Sequence, residues 1–189
     1  MSVDFLLIYR AKNGDSHAFE MIIRKYYGDI FNYCKYHALD INTAEDITQD
    51  VFLTFLKTIN HYKHKGKLLN YLYTIARNKC IDEKKKTSNK DLYIEDFSEN
   101  IFFEFTESDR KIEYLDVKEA VKKLPSDIKD VIILYYFFDR KQKEVAKICG
   151  ISLELTKYRL RKGKDMIRKY VEGERWKKWT SMIKKWKKY

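Results

Sequence analysis

Apolar residues along the first third of the chain recur at three-four spacing, through Phe19, Ile22, Ile23, Tyr26, Tyr27, Ile30, Phe31 and Cys34. That period predicts an amphipathic helix starting after Asp15 or Ser16, either of which can cap it. A second stripe of Ala44, Ile47, Val51, Phe55 and Ile59 follows Thr43-Ala44-Glu45-Asp46, which resembles a capping box with Asp in the Glu position. Asp46, Gln49 and Asp50 lie on another, polar face of the same helix. A polar stretch from Asn60 to Lys67 then gives way to Leu68, Leu72, Ile75, Ala76 and Lys79, a third helical face running into Lys84-Lys85-Lys86.

No clean period marks residues 87–112, which read as a linker with at most a short helix. Beyond it, Leu124-Pro125-Ser126-Asp127 ends one helix and begins another, with Pro pre-set for a helix start and Ser or Asp as cap. Proline occurs once and glycine six times, and nothing alternates like a strand. The fold class is therefore all-α, with two small helical domains, at 1–90 and 114–172, joined by an acidic linker at 91–113. A basic, Trp-rich extension at 173–189 follows the second.

Charge sharpens this division. Residues 1–90 carry 15 basic and 10 acidic side chains, net +5, and residues 91–116 carry 2 and 9, net −7. Residues 117–156 carry 8 and 6, and residues 157–189 carry 14 and 3, net +11. Two basic modules flank an acidic one, and the chain as a whole is +11, the balance of a protein with a polyanionic partner. Cys34, Cys80 and Cys149 are far apart and unpaired in the sequence, so neither a disulfide framework nor a zinc site is expected. No apolar run reaches membrane-spanning length. A cytoplasmic location is the expectation.

The sharpest local motif is Gln142-Lys143-Glu144-Val145-Ala146-Lys147-Ile148-Cys149-Gly150-Ile151-Ser152 ahead of a basic helix. A short helix, a glycine turn and a serine cap make a helix-turn-helix, whose second helix enters the major groove. Glu154, Lys157, Tyr158, Arg161 and Lys162 occupy its first turns. A helical hairpin with a merely solvated basic face is the plainer reading of the same residues.

Three further motifs identify a family resemblance. Gly14 to Phe19, Thr43-Ala44-Glu45-Asp46-Ile47-Thr48-Gln49-Asp50-Val51-Phe52, and Tyr71 to Asn78 with Asp82 resemble region 2 of bacterial sigma factors. Leu124 through Arg168 is similar to their region 4, and two regions without a further domain resemble the extracytoplasmic-function (ECF) group. The resemblance implies a protein that binds core RNA polymerase and directs promoter-specific initiation. It carries Asp46, Gln49 and Asp50 into core-polymerase binding, where the residues alone read as a solvated face. Asn60, Tyr62, Lys63, Lys65 and Lys67 fall where the family captures unstacked minus-ten bases, and basic residues around an aromatic suit single-stranded DNA. Asn70, Tyr73 and Arg77 are expected to face the neighbouring minus-ten DNA. Glu154, Lys157, Tyr158, Arg161 and Lys162 become minus-thirty-five contacts, promoter DNA and core polymerase the partners, and an anti-sigma factor a further one.

Two positions depart from the family pattern. Glu154-Leu155-Thr156 stands where Gly-Thr-Val is usual, moving an apolar residue onto the polar slot and Thr onto the buried one, and Tyr71 replaces a common Trp. The acidic linker reads equally as a spacer or as an RNA-like filler of a basic channel. Trp176, Trp179, Ile183 and Trp186 form an apolar stripe in the tail, suited to packing, nucleic acid or polymerase, or a membrane surface. His61 and His64 lack a third ligand, so no metal is expected. No cofactor, small-molecule substrate or catalytic residue is implied, and the rival reading is an adaptor that kept the fold without promoter activity.

Overall fold

Every helix whose cap is defined begins where a polar side chain or a backbone turn can take up the first unpaired N–H groups. The computed structural model of this protein describes residues 2–64, 67–88, 115–171 and Lys177. Among these residues all regular structure is helical: α1 (Val3–Lys12), α2 (Ser16–Lys35), α3 (Ile41–Thr58), α4 (Leu68–Ser88), α5 (Leu115–Lys122), α6 (Ser126–Ile132), α7 (Gln142–Cys149) and α8 (Leu153–Tyr170). A single π-helical turn, Ile133–Phe137, continues α6. The chain divides into two units, within Met1–Phe102 and Phe103–Tyr189. The acidic linker and, apart from Lys177, residues 172–189 lie outside the described residues.

In the first unit α2 packs against α1, α3 and α4, and α3 packs against α4. Asp15 caps α2 by accepting from the Ala18 N–H at 3.0 Å, as the sequence pattern predicts. The start of α3 differs from its prediction. Asp40, not Thr43, is the cap, accepting from the Thr43 N–H at 2.7 Å and the Thr43 hydroxyl at 2.9 Å. Asp40 precedes the proposed box by three residues, and its short carboxylate accepts both bonds before Thr43 can serve as a cap.

The predicted α3 stripe of Ala44, Ile47, Val51, Phe55 and Ile59 is buried throughout, as are Ile22, Tyr26, Ile30 and Cys34 of α2. Phe19 and Phe55 stack at 6.0 Å and Tyr27 and Phe52 at 6.3 Å, filling the seam between the two helices. Helix α1 had no periodic signature, because Val3, Phe5, Leu6 and Tyr9 stay exposed and only Leu7 and Ile8 reach the core. It is tied to α2 by Asp4, which accepts from Lys25 at 2.6 Å and from the Tyr26 hydroxyl at 2.6 Å.

The second unit is built around α6 and α8. Pro125 is the cap residue of α6 and no side-chain oxygen bonds its first turn, so neither Ser126 nor Asp127 plays the predicted capping part. Asp127 instead pairs with Arg159 of α8 at 3.0 Å. The two helices meet at Gly163, where a Cβ would sit 2.7 Å from side-chain carbons of both Ile128 and Ile132. A larger residue there pushes α8 off α6.

Candidate polymerase and nucleic-acid interfaces

The polar face of α3 points away from the buried stripe. Asp46, Gln49 and Asp50 are all exposed, as are Leu53 and Leu56 on the same side of the helix. Three- and four-residue steps place these five side chains on one surface. Asp50 is not left to solvent alone, since Lys79 of α4 approaches it at 3.3 Å. Such a half-exposed pair contributes little to stability and exchanges readily for another cation.

Between α3 and α4, residues Asn60 to His64 are held by contacts distant in sequence. The Lys12 ammonium donates to the Tyr62 carbonyl at 2.7 Å and to the Asn60 carbonyl at 3.4 Å, pinning the turn to the end of α1. Tyr62 packs against Tyr71 with ring centroids 4.6 Å apart and meets the edge of Phe55 at 5.7 Å. Its hydroxyl lies 3.3 Å from Nδ1 of His64. Burial, then the neighbouring Tyr71 and Asp4, pushes the Tyr62 phenol up to about 12. The expected open platform is thus a half-buried ring whose partner is Tyr71. Asn60, Lys63 and Lys67 are exposed around it, and Lys65 lies outside the described residues.

On α4 the three expected DNA-facing residues separate. Asn70 and Arg77 are half-buried at the surface. Tyr73 is not a surface residue: it is 0% exposed and its ring lies 5.4 Å from Tyr33 in the core. Its expected contact with DNA is corrected accordingly. Tyr73 lies one position from Leu72 and two from Ile75, all three buried, so the apolar face of α4 is wide enough to take it in.

The helix-turn-helix motif takes the conformation its residues predict. Glu144 reaches back from the third helical position to accept from the Lys141 N–H at 2.9 Å, starting α7. Gly150 ends that helix at φ +65, where an L side chain is strained, and the Ile151 N–H returns to the Ala146 carbonyl at 3.0 Å. Ser152 then caps α8, its hydroxyl accepting from the Leu155 N–H at 3.1 Å.

Thr156, Leu160, Gly163 and Ile167 form the buried face of α8. Glu154, Lys157, Tyr158, Arg161 and Lys162 are all exposed, so the motif presents its five expected contact residues together. Bonds from its own backbone N–H and from Ser152 hold the Glu154 carboxyl below the usual range. Lys162 lies 5.8 Å from the ring centroid of Tyr158.

Sequence reasoning missed Lys12, Lys79 and Arg159. Their roles depend on partners 50, 29 and 32 residues away, which no local pattern encodes. Nor does any local pattern pair Tyr71 with Tyr62. Among the described residues, no group of three or more His, Cys, Asp or Glu side chains can hold a metal ion, and no helix is long and apolar enough to cross a membrane.

An acidic helix face beside a basic turn in one unit, and a helix-turn-helix in the other, define a two-module nucleic-acid-binding protein. Comparison with known families makes that class specific. Residues 22–90 match Sigma-70 region 2, and residues 114–167 match Sigma-70, region 4. The chain is 26% identical over 177 residues to the ECF RNA polymerase sigma factor SigW of Bacillus subtilis (strain 168), covering 87% of this chain and 94% of that protein. It is 26% identical over 163 residues to the RNA polymerase sigma factor YlaC of the same organism, covering 82% and 93%.

The solved structure of the sigma factor RpoE, in complex with the anti-sigma factor NepR from Bartonella quintana, shares the fold. Its TM-score is 0.68 at 21% identity, over 80% of this chain and 95% of that one. This chain belongs to the ECF group of bacterial RNA polymerase sigma factors. It binds core RNA polymerase and directs promoter-specific transcription initiation, recognising the minus-thirty-five duplex and the opened minus-ten strand.

Proposed function

We propose that three surfaces divide this activity. Asp46, Gln49 and Asp50 dock on the core polymerase. Asn60, Lys63, Lys65 and Lys67, with Tyr62 and Tyr71 at their centre and Asn70 and Arg77 beside them, hold minus-ten DNA. Glu154, Lys157, Tyr158, Arg161 and Lys162 read the minus-thirty-five duplex. The observation that carries this division is the exposure of the α3 acid and amide residues on the side of the helix opposite its buried stripe. A negative face of that kind suits a basic docking surface.

Tyr62 works here by rearrangement. Leaving Tyr71 opens an aromatic gap between exposed lysines, into which an unstacked base fits, each such stack being worth roughly 1–3 kcal/mol. Taking a base out of the duplex costs only a few kcal/mol, so a few contacts hold a melted strand without an energy source. The protein is not itself an enzyme in this reading, and it acts in the cytoplasm. An anti-sigma factor is a further partner, as it is for the RpoE of Bartonella quintana.

Run-off transcription with purified core polymerase and a promoter library tests the reading. Holoenzyme assembly and template-dependent transcripts are expected, and Asp50→Ala weakens assembly. Absence of both assembly and transcripts on every template refutes it. Lys157→Ala lowers duplex affinity and reduces the salt slope by roughly 0.9 if one phosphate contact is lost; an unchanged affinity and slope places the duplex contact elsewhere.

A further inference from the structure

The basic face of α8 contains two apolar side chains that its charge does not explain. Leu155 is 37% exposed and Tyr158 is 48% exposed. They are three residues apart and therefore neighbours on the helix surface. Exposed Lys157, Arg161 and Lys162 surround them.

Nothing in the packing allows Leu155 to turn inward. The Ser152 hydroxyl holds the Leu155 N–H at 3.1 Å, and the Thr156 hydroxyl donates to the Ser152 carbonyl at 2.9 Å. Thr156 occupies the buried position, and Gly163 seats the helix against Ile128 and Ile132. Rotating α8 by one residue would bury Leu155, but it would also drive a side chain into the Gly163 contact. Leu155 is therefore held outward at a cost of unburied apolar surface.

We infer that Leu155 and Tyr158 form an apolar reading strip that selects thymine at neighbouring positions of the upstream duplex through its C5-methyl group. This rests on the reading that α8 enters the major groove. Base edges there offer donors and acceptors, with one apolar feature, the thymine methyl. Against guanine, adenine or cytosine, a leucine removes water from polar groups and returns no hydrogen bond. Against thymine it buries a methyl. The flanking Lys157, Arg161 and Lys162 supply attraction to the polyanion, and the Lys162 ammonium 5.8 Å from the Tyr158 ring centroid braces the ring.

The test uses holoenzyme reconstituted from core polymerase and the full chain. Upstream duplexes are selected from a library randomised in the minus-thirty-five region, and each thymine of the selected sequence is replaced in turn by deoxyuridine, which removes only the methyl. Affinity is expected to fall about 4-fold per methyl lost at one or two adjacent positions, matching the burial of one carbon. Leu155→Ala is expected to abolish the thymine-over-uracil preference at one of them, and Tyr158→Ala at the neighbouring one.

Wild-type indifference to every replacement overturns the inference while leaving duplex reading intact. Loss of core binding by Leu155→Ala with the methyl preference preserved also overturns it, marking the strip as a protein contact. Failure of the holoenzyme to engage any upstream duplex sinks the duplex-reading assignment itself, and this inference with it.

Discussion

The two units hold their candidate nucleic-acid contacts in opposite ways. On α8 the candidate readers stand exposed, presented by a helix whose start and rotation are set locally by Gly150, Ser152 and the Gly163 seat. In the first unit the candidate aromatic reader is turned inward: Tyr62 is stacked on Tyr71 and held by Lys12 through its carbonyl, while Tyr73 is a core residue. The difference follows the substrate. Duplex DNA presents a regular groove that a preformed helix fits as a rigid body. A melted strand offers faces that exist only once bases unstack, and an aromatic packed inside until then avoids exposing apolar surface.

The widest separation between the units is expected from two tyrosines. Tyr73→Ala removes a fully buried ring and is expected to cost about 3–5 kcal/mol, collapsing the first unit's thermal transition. Tyr158→Ala is expected to change stability by no more than about 0.5 kcal/mol while weakening promoter binding. Equal stability losses would erase the contrast.

Gly163→Ala probes the rigid side. The new methyl meets Ile128 and Ile132, with an expected cost of about 1–3 kcal/mol from overpacking, against about 1 kcal/mol regained in helix propensity. A lowered denaturant midpoint for the second unit, with the first unchanged, is the outcome that urea titration followed by hydrogen exchange should report.

Lys12→Met removes the donor that pins the turn. The expected loss is about 1 kcal/mol, and amide exchange should accelerate at residues 60–64 but not in the middle of α3. Uniform acceleration through α3 would mean that Lys12 supports the whole unit and not the turn alone.

A further effect, confined to pH above 10, is a pH dependence. Tyr62 has its phenol raised from 10.0 to about 12, so folding favours its neutral form. Its contribution is complete below pH 10 and disappears as pH rises through about 12. Tyr62→Phe should therefore lose less stability than the wild type between pH 10 and 12, as denaturation midpoints at each pH would reveal. Parallel losses would show that the ring is more open than its packing implies.

Local chemistry made much of this legible before any coordinates. Asp15 and Ser152 cap the helices they were expected to cap, and the α3 stripe from Ala44 to Ile59 is buried as its period predicts. These features depend on residues within a turn or two of one another. At the start of α3 the box pattern points to Thr43, whereas the bonds from the Thr43 N–H and hydroxyl to Asp40 begin the helix earlier. Helix α1 escaped notice because most of its apolar residues face outward.

Sequence by itself determined the helical class, the two-part organisation, the helix-turn-helix and the residues that could meet a polyanion, since periodicity, capping and charge are all short-range properties. Tertiary structure alone decided which of those residues are available. It buried Tyr73, paired Tyr62 with Tyr71, set Lys79 beside Asp50 and seated α8 against α6 at Gly163. Each outcome depends on the competition of side chains from different helices for the same space, and in α8 a glycine eight residues beyond Leu155 settled that competition.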